Sequence, residues 1–116
     1  MAFELKWTKE ADEKYTELKR AAEDAQKNRT KRRKSKSSKQ EGLFKQVAKT
    51  ISFLKQNPRH PSLCCHSYSG LQHPYDAAEK VWEAYVQNNT ASAYRVFWSY
   101  GPGRKELTII AITPHP

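Results

Sequence analysis

The tightest constraint on this chain is the run Glu106-Leu107-Thr108-Ile109-Ile110-Ala111-Ile112-Thr113. Both alternating sets of positions in it are apolar, so a strand here needs cover on both faces and belongs in the middle of a sheet. Just upstream, Tyr94-Arg95-Val96-Phe97-Trp98-Ser99-Tyr100 reads as a second strand, and Gly101-Pro102-Gly103 supplies a turn between the two. A buried strand pair of this kind demands a covering layer. At 116 residues the chain has room for one core, so that layer comes from the N-terminal half of the same domain, residues 1–116.

Two amphipathic segments fit the role. After a short alternating strand carrying Phe3, Leu5 and Trp7, Thr8 is placed to cap a helix, with Glu10 and Asp12 near the positive end of its dipole. Ala11, Tyr15, Leu18, Ala22 and Ala25 then recur at intervals of three and four, a weakly apolar helical stripe. A second helix is expected from Glu41 or Gly42, with Phe44, Val47, Ile51 and Leu54 on its buried face and Asn57-Pro58 as its stop. The Pro-, Ser- and His-rich stretch 57–76 is expected to be an ordered loop. Residues 76–86 are ambiguous: their start has helical composition, but alternation from about Val81 favours a strand, followed by a turn over 87–92. The order strand, helix, helix, three strands predicts an α+β fold. Two antiparallel helices cover one face of a four-stranded curved sheet, whose last three strands form an antiparallel stretch.

The charge is lopsided. The chain carries +9 overall, yet residues 27–39 hold eight basic side chains and no acidic one. Such a run at the tip of a helical hairpin is the footprint of a polyanion-binding segment, and equally of a solvated connector. No apolar stretch reaches the roughly 18 residues of a membrane span, and the first residues lack the apolar block of a signal peptide. Cys64 and Cys65 are sequence neighbours, a spacing that disfavours a stabilising disulfide and suits free thiols. Cytoplasm is the expected compartment, with no membrane partner.

This order of elements, together with Asn-Pro-Arg-His-Pro-Ser-Leu, His66-x-Tyr68-Ser69-Gly70-Leu71, Tyr94-Arg95-Val96-Phe97-Trp98 and the terminal Leu-Thr-Ile-Ile-Ala-Ile-Thr-Pro-His-Pro, resembles the RelE/ParE toxin superfamily. Its C-terminus is most similar to the RelE/YoeB-like mRNA interferases. The resemblance covers nearly the whole chain apart from 27–39. It implies a toxin of a type II toxin–antitoxin system that cuts mRNA on the ribosome by attack of a 2′-hydroxyl on the neighbouring phosphate. That reaction needs a base, a cation for the charge developing on phosphorus and an acid for the departing oxygen, but no metal or other cofactor. The implied partners are a cognate antitoxin, the ribosome and mRNA, with DNA met only through the antitoxin complex.

On this resemblance Arg95 is the strand arginine of the catalytic surface, where a permanently charged, forked donor suits a phosphate. His115 takes the place of a C-terminal catalytic histidine, whose imidazole exchanges protons near neutral pH. His66, in the loop before the central strand, is the third candidate, with hydrogen bonding to loop backbone as its competing role. Lys31, Arg32, Arg33 and Lys34 of the basic run, with Arg59, Lys80 and Arg104, are the expected RNA-binding cations. Two features depart from the pattern. Pro61 stands where the subgroup carries a loop glutamate as base, and Glu83 and Tyr85 stand where RelE-like enzymes carry lysines.

Three other readings compete. The ParE branch shares the fold but inhibits DNA gyrase, and the missing lysines and glutamate lean that way. A zinc site from His60, Cys64, Cys65, His66 and His73 is disfavoured, because adjacent cysteines lack the two-residue gap that lets both thiolates reach one ion. A basic segment that only tracks phosphates, with no chemistry attached, is the third reading.

Overall fold

A computed structural model describes residues 2–31, 39–87 and 93–114, the side chains of residues 30 and 31 excepted. Along the chain run β1 (Glu4–Trp7), α1 (Lys9–Lys31), α2 (Lys39–Gln56), a 3₁₀ turn (Pro61–Leu63), β2 (His66–Ser67), β3 (Trp82–Tyr85), β4 (Tyr94–Tyr100) and β5 (Glu106–Pro114). The sheet has five strands in the order β1-β5-β4-β3-β2, with β1 parallel to β5 and every other pairing antiparallel. The apolar run does sit centrally, between β1 and β4.

The sheet therefore has one strand more than the sequence predicts. The addition is β2, which pairs His66 with Glu83 and Ser67 with Trp82 inside the stretch expected to be loop. Two residues are too few to show alternation, and their Pro- and Ser-rich surroundings mask them. The helices also extend further into the basic run than expected, α1 to Lys31 and α2 from Lys39. Lysine and arginine are good helix formers, so positive charge alone does not end a helix.

Thr8 fastens the first helix to the sheet. Its Oγ1 accepts from the Ala11 N–H at 3.1 Å, the N-cap expected of it, and donates to the Ile110 carbonyl at 2.7 Å. That carbonyl lies at a β-bulge: Phe97 faces Ala111 but Trp98 faces Ile109, leaving Ile110 as the extra residue. The helices run antiparallel, with Arg29 near the end of α1 forking onto Glu41 at the start of α2 and the Phe3 N–H reaching Lys55 O near the end of α2. Arg29, one of the eight basic residues of the run, is thus engaged with a carboxylate, which raises its pKa.

The main core lies between helices and sheet and contains Val47, Ile51, Leu54, Ala84, Val96, Trp98, Leu107 and Ile109. A smaller cluster lies on the other side, where Tyr68 and Leu71 of the β2–β3 connection cover Val81, Phe97, Ile110 and Ala111. No helix among the described residues is long and apolar enough to cross a membrane.

Candidate active site and a neighbouring aromatic recess

Strand alternation sends Trp82, Ala84, Val96 and Trp98 toward the helices, so Glu83, Tyr85, Arg95 and Phe97 project from the opposite face. On that face Tyr85 lies directly across from Arg95, and Glu83 directly across from His66. Cross-strand neighbours of this sort sit close enough for side chains to touch. His66 Nε2 meets Glu83 Oε1 at 2.7 Å, and its Nδ1 lies 3.3 Å from the Cys64 carbonyl. With a hydrogen on both ring nitrogens, each faces an acceptor. The His66 ring stands edge-on to Tyr85 at 5.7 Å between centroids, and the Arg95 guanidinium carbon stacks 3.9 Å from the centre of the same ring.

Tyr85 thus stands between the His66–Glu83 pair and Arg95. Burial differs sharply across the group: Glu83 is 1% exposed and Arg95 5%, whereas the His66 side chain is 48% exposed. Arg95 Nη1 donates to the carbonyls of Gln87 at 2.7 Å and Tyr94 at 3.0 Å, while its buried Nε has no partner among the described residues. A buried guanidinium with an unmatched N–H is costly to maintain, which makes it more than a solvent-facing strand arginine.

The structure therefore brings Arg95 and His66 to one place and adds Glu83, which sequence reasoning treats only as a missing lysine. His66 also makes the loop-backbone contact that competes with a catalytic role. Pro61, in the place of the loop glutamate, opens the 3₁₀ turn. His115 lies outside the described residues, as do Arg32, Arg33, Lys34 and the Lys31 side chain; β5 is described as far as Pro114, opposite Tyr94. Of the other cations, Arg104 is exposed in the β4–β5 turn, and Arg59 and Lys80 gather elsewhere.

Arg59 lines a recess of about 360 Å³ together with Cys64, Cys65, Trp82, Trp98 and Tyr100, and the Lys80 ammonium sits 5.7 Å from the Trp82 ring centre. Burial pushes the Cys65 thiol up to about 11, with the Trp98 indole pulling weakly the other way. Burial likewise raises Tyr100, against the opposing charge of Arg59. The nearby histidines are taken up locally: His60 Nδ1 accepts from the Ser62 N–H, and His73 Nδ1 from those of Tyr75 and Asp76. Among the described residues no three His, Cys, Asp or Glu side chains converge as metal ligands would.

No protein-family model matches the sequence, and no curated protein matches it. Solved structures do. The YoeB/ParE toxin from Agrobacterium tumefaciens aligns at a TM-score of 0.61 with 14% identity, over 97% of this chain and 99% of that one. The RelE of the RelE–RelB complex from the archaeon Pyrococcus horikoshii aligns at 0.56 with 15% identity, over 98% and 96%. The YoeB dimer from Staphylococcus aureus aligns at 0.56 with 9% identity, over the full length of both. With both chains covered almost from end to end, the fold built by Thr8, the central β5 and the paired helices is shared with these YoeB/ParE and RelE structures.

Proposed function

We propose that this protein is the toxin of a type II toxin–antitoxin pair and acts as a ribosome-dependent, metal-independent mRNA endoribonuclease in the cytoplasm. The observation that carries this reading is the cluster on the face opposite the helices, where Arg95 and the His66–Glu83 pair flank the Tyr85 ring. Arg95 supplies fixed positive charge for the phosphate, and its unmatched Nε is a donor awaiting an acceptor. His66 is the proton-transfer group, held in orientation by the Glu83 carboxylate. His115 serves as the leaving-group acid. A cognate antitoxin is the natural partner, as in the RelE–RelB complex, and DNA is met only through that complex.

Lys31, Arg32, Arg33 and Lys34 bind ribosomal RNA phosphates, with Arg59, Lys80 and Arg104 as further contacts. If all eight charges of the 27–39 run engaged phosphates, log K would fall against log salt with a slope near about −6. Neutralising Arg32, Arg33 and Lys34 together is expected to flatten that slope and leave the fold intact.

The deciding experiment is cleavage of a translated mRNA by wild type, Arg95→Ala, His66→Ala and His115→Ala, with growth arrest on expression as the cellular readout. Loss of cutting by a hundredfold or more in Arg95→Ala is expected, on the order of what one transition-state donor contributes. Equal toxicity in all four chains removes the proposed catalytic group. One observation favours the gyrase-inhibiting alternative: Arg95 Nη1 is already engaged by two backbone carbonyls, as in a structural arginine. A supercoiling assay with purified gyrase separates the two readings.

A further inference from the structure

The recess on the helix-side face of β3 and β4 is not part of the cluster just described, and its chemistry is specific. Trp82 and Trp98 stack at 6.0 Å with 22° between planes, and Tyr100 stands edge-on to both. Arg59 and Lys80 supply positive charge beside these rings, and no carboxylate lines the recess among the described residues. Its volume of about 360 Å³ falls within the roughly 300–1,000 Å³ of small-molecule sites. Trp98 is 1% exposed, and its indole N–H lies against the Cys65 thiol on the wall of the recess, lowering the pKa that burial raises. A recess with aromatic walls beside cations is matched by a flat ligand that carries negative charge.

We infer that this recess binds one nucleotide of single-stranded RNA, its base against Trp82 and Tyr100, which are backed by the buried Trp98, and its phosphate toward Arg59 and Lys80. Every base offers a π-face and an acceptor edge, and every nucleotide a negative charge, so aromatic walls beside cations suit this class of ligand. The assignment to RNA rests on the nuclease reading; the stacking site itself does not. The recess and the Arg95 cluster lie on opposite faces of β3, so the nucleotide held here is not the one held at Arg95.

The test uses the full-length protein titrated with adenosine, AMP and a short oligoadenylate, following the tryptophan indole resonances by NMR. A saturable shift of the Trp98 indole is expected with AMP and with the oligonucleotide. Trp82→Leu is expected to weaken both by about 5- to 150-fold, the range set by the loss of one base–aromatic stack. Trp82→Phe keeps a ring in place and is expected to fall between; it guards against misfolding of the leucine variant. Arg59→Ala should weaken AMP and leave adenosine unchanged. The inference is overturned if Trp98 does not respond to any of the three probes, or if Trp82→Leu and Trp82→Phe bind as wild type does. Saturation by AMP but not by oligoadenylate overturns the assignment to RNA. Cleavage of mRNA, measured in parallel, is a separate readout: a chain that binds here without cutting loses the nuclease reading and keeps this one.

Discussion

On the helix side of β3 and β4, Ala84, Val96 and Trp98 disappear into a continuous apolar core; on the reverse of the same strands, Glu83 and Arg95 are buried almost as deeply. The first arrangement stabilises the fold, at roughly 25 cal/mol for each Å² of apolar surface removed from water. The second opposes it, because desolvating two charged groups costs more than their partners return unless every polar atom is matched. Arg95 Nε is not matched. Neighbouring residues of one strand thus meet different surroundings, Ala84 entering the apolar core and Glu83 being buried beside His66 on the reverse face. Buried, imperfectly satisfied charge gathered on one face is what a site retains at the expense of stability.

The contrast predicts that damage on the two faces separates stability from activity. Leu107→Ala, on the helix side with 0% exposure, should lower unfolding free energy by about 2–5 kcal/mol. Urea denaturation measures this, and a loss below about 1 kcal/mol breaks the comparison. Glu83→Gln, on the other side, should lower mRNA cleavage on the order of a hundredfold with the fold retained. Unchanged cleavage, with circular dichroism confirming the fold, makes the His66–Glu83 pair structural. Thr8→Val removes a cap and strands the Ile110 carbonyl; a loss of about 1–2 kcal/mol is expected by the same denaturation.

The smallest effect concerns Cys65. A thiol held at about 11 is protonated at pH 8, with thiolate on the order of one part in a thousand. Alkylation by iodoacetamide, followed by mass spectrometry, should be slow at pH 8 and rise about tenfold per unit of pH up to 10. Fast labelling of Cys65 at pH 8 means the recess side is more open to water than the core beside it.

Most of the scaffold is legible in the sequence because periodicity is a property of long elements. The stripe from Ala11 to Ala22, the Thr8 cap and the Ile109–Ile112 apolar run of β5 each leave a local signature. The strand β2 does not, since two residues cannot alternate visibly. The candidate site is only half legible for a related reason. Arg95 and His66 stand out as residue types in suggestive places, but the partnership of His66 with Glu83 is created by strand register, which no spacing along the chain encodes. Glu83 reads as an absence of lysine until a histidine is brought to it. The recess is scattered further still: Arg59 and Cys65 come from the stretch after α2, Trp82 from β3 and Trp98 from β4.

The bulge at Ile110 has a consequence for how the chain tolerates change. Beyond the surplus residue Ile112 returns to the helices while Thr113 lies beside Arg95. Deleting Ile110 would remove the surplus residue and let Ala111 follow Ile109 in regular alternation, with Ile112 and Thr113 keeping the faces they now have; what the deletion takes away is the carbonyl that Thr8 reaches. The surplus residue thus serves the attachment of α1 to the sheet and not the facing of the residues that follow it.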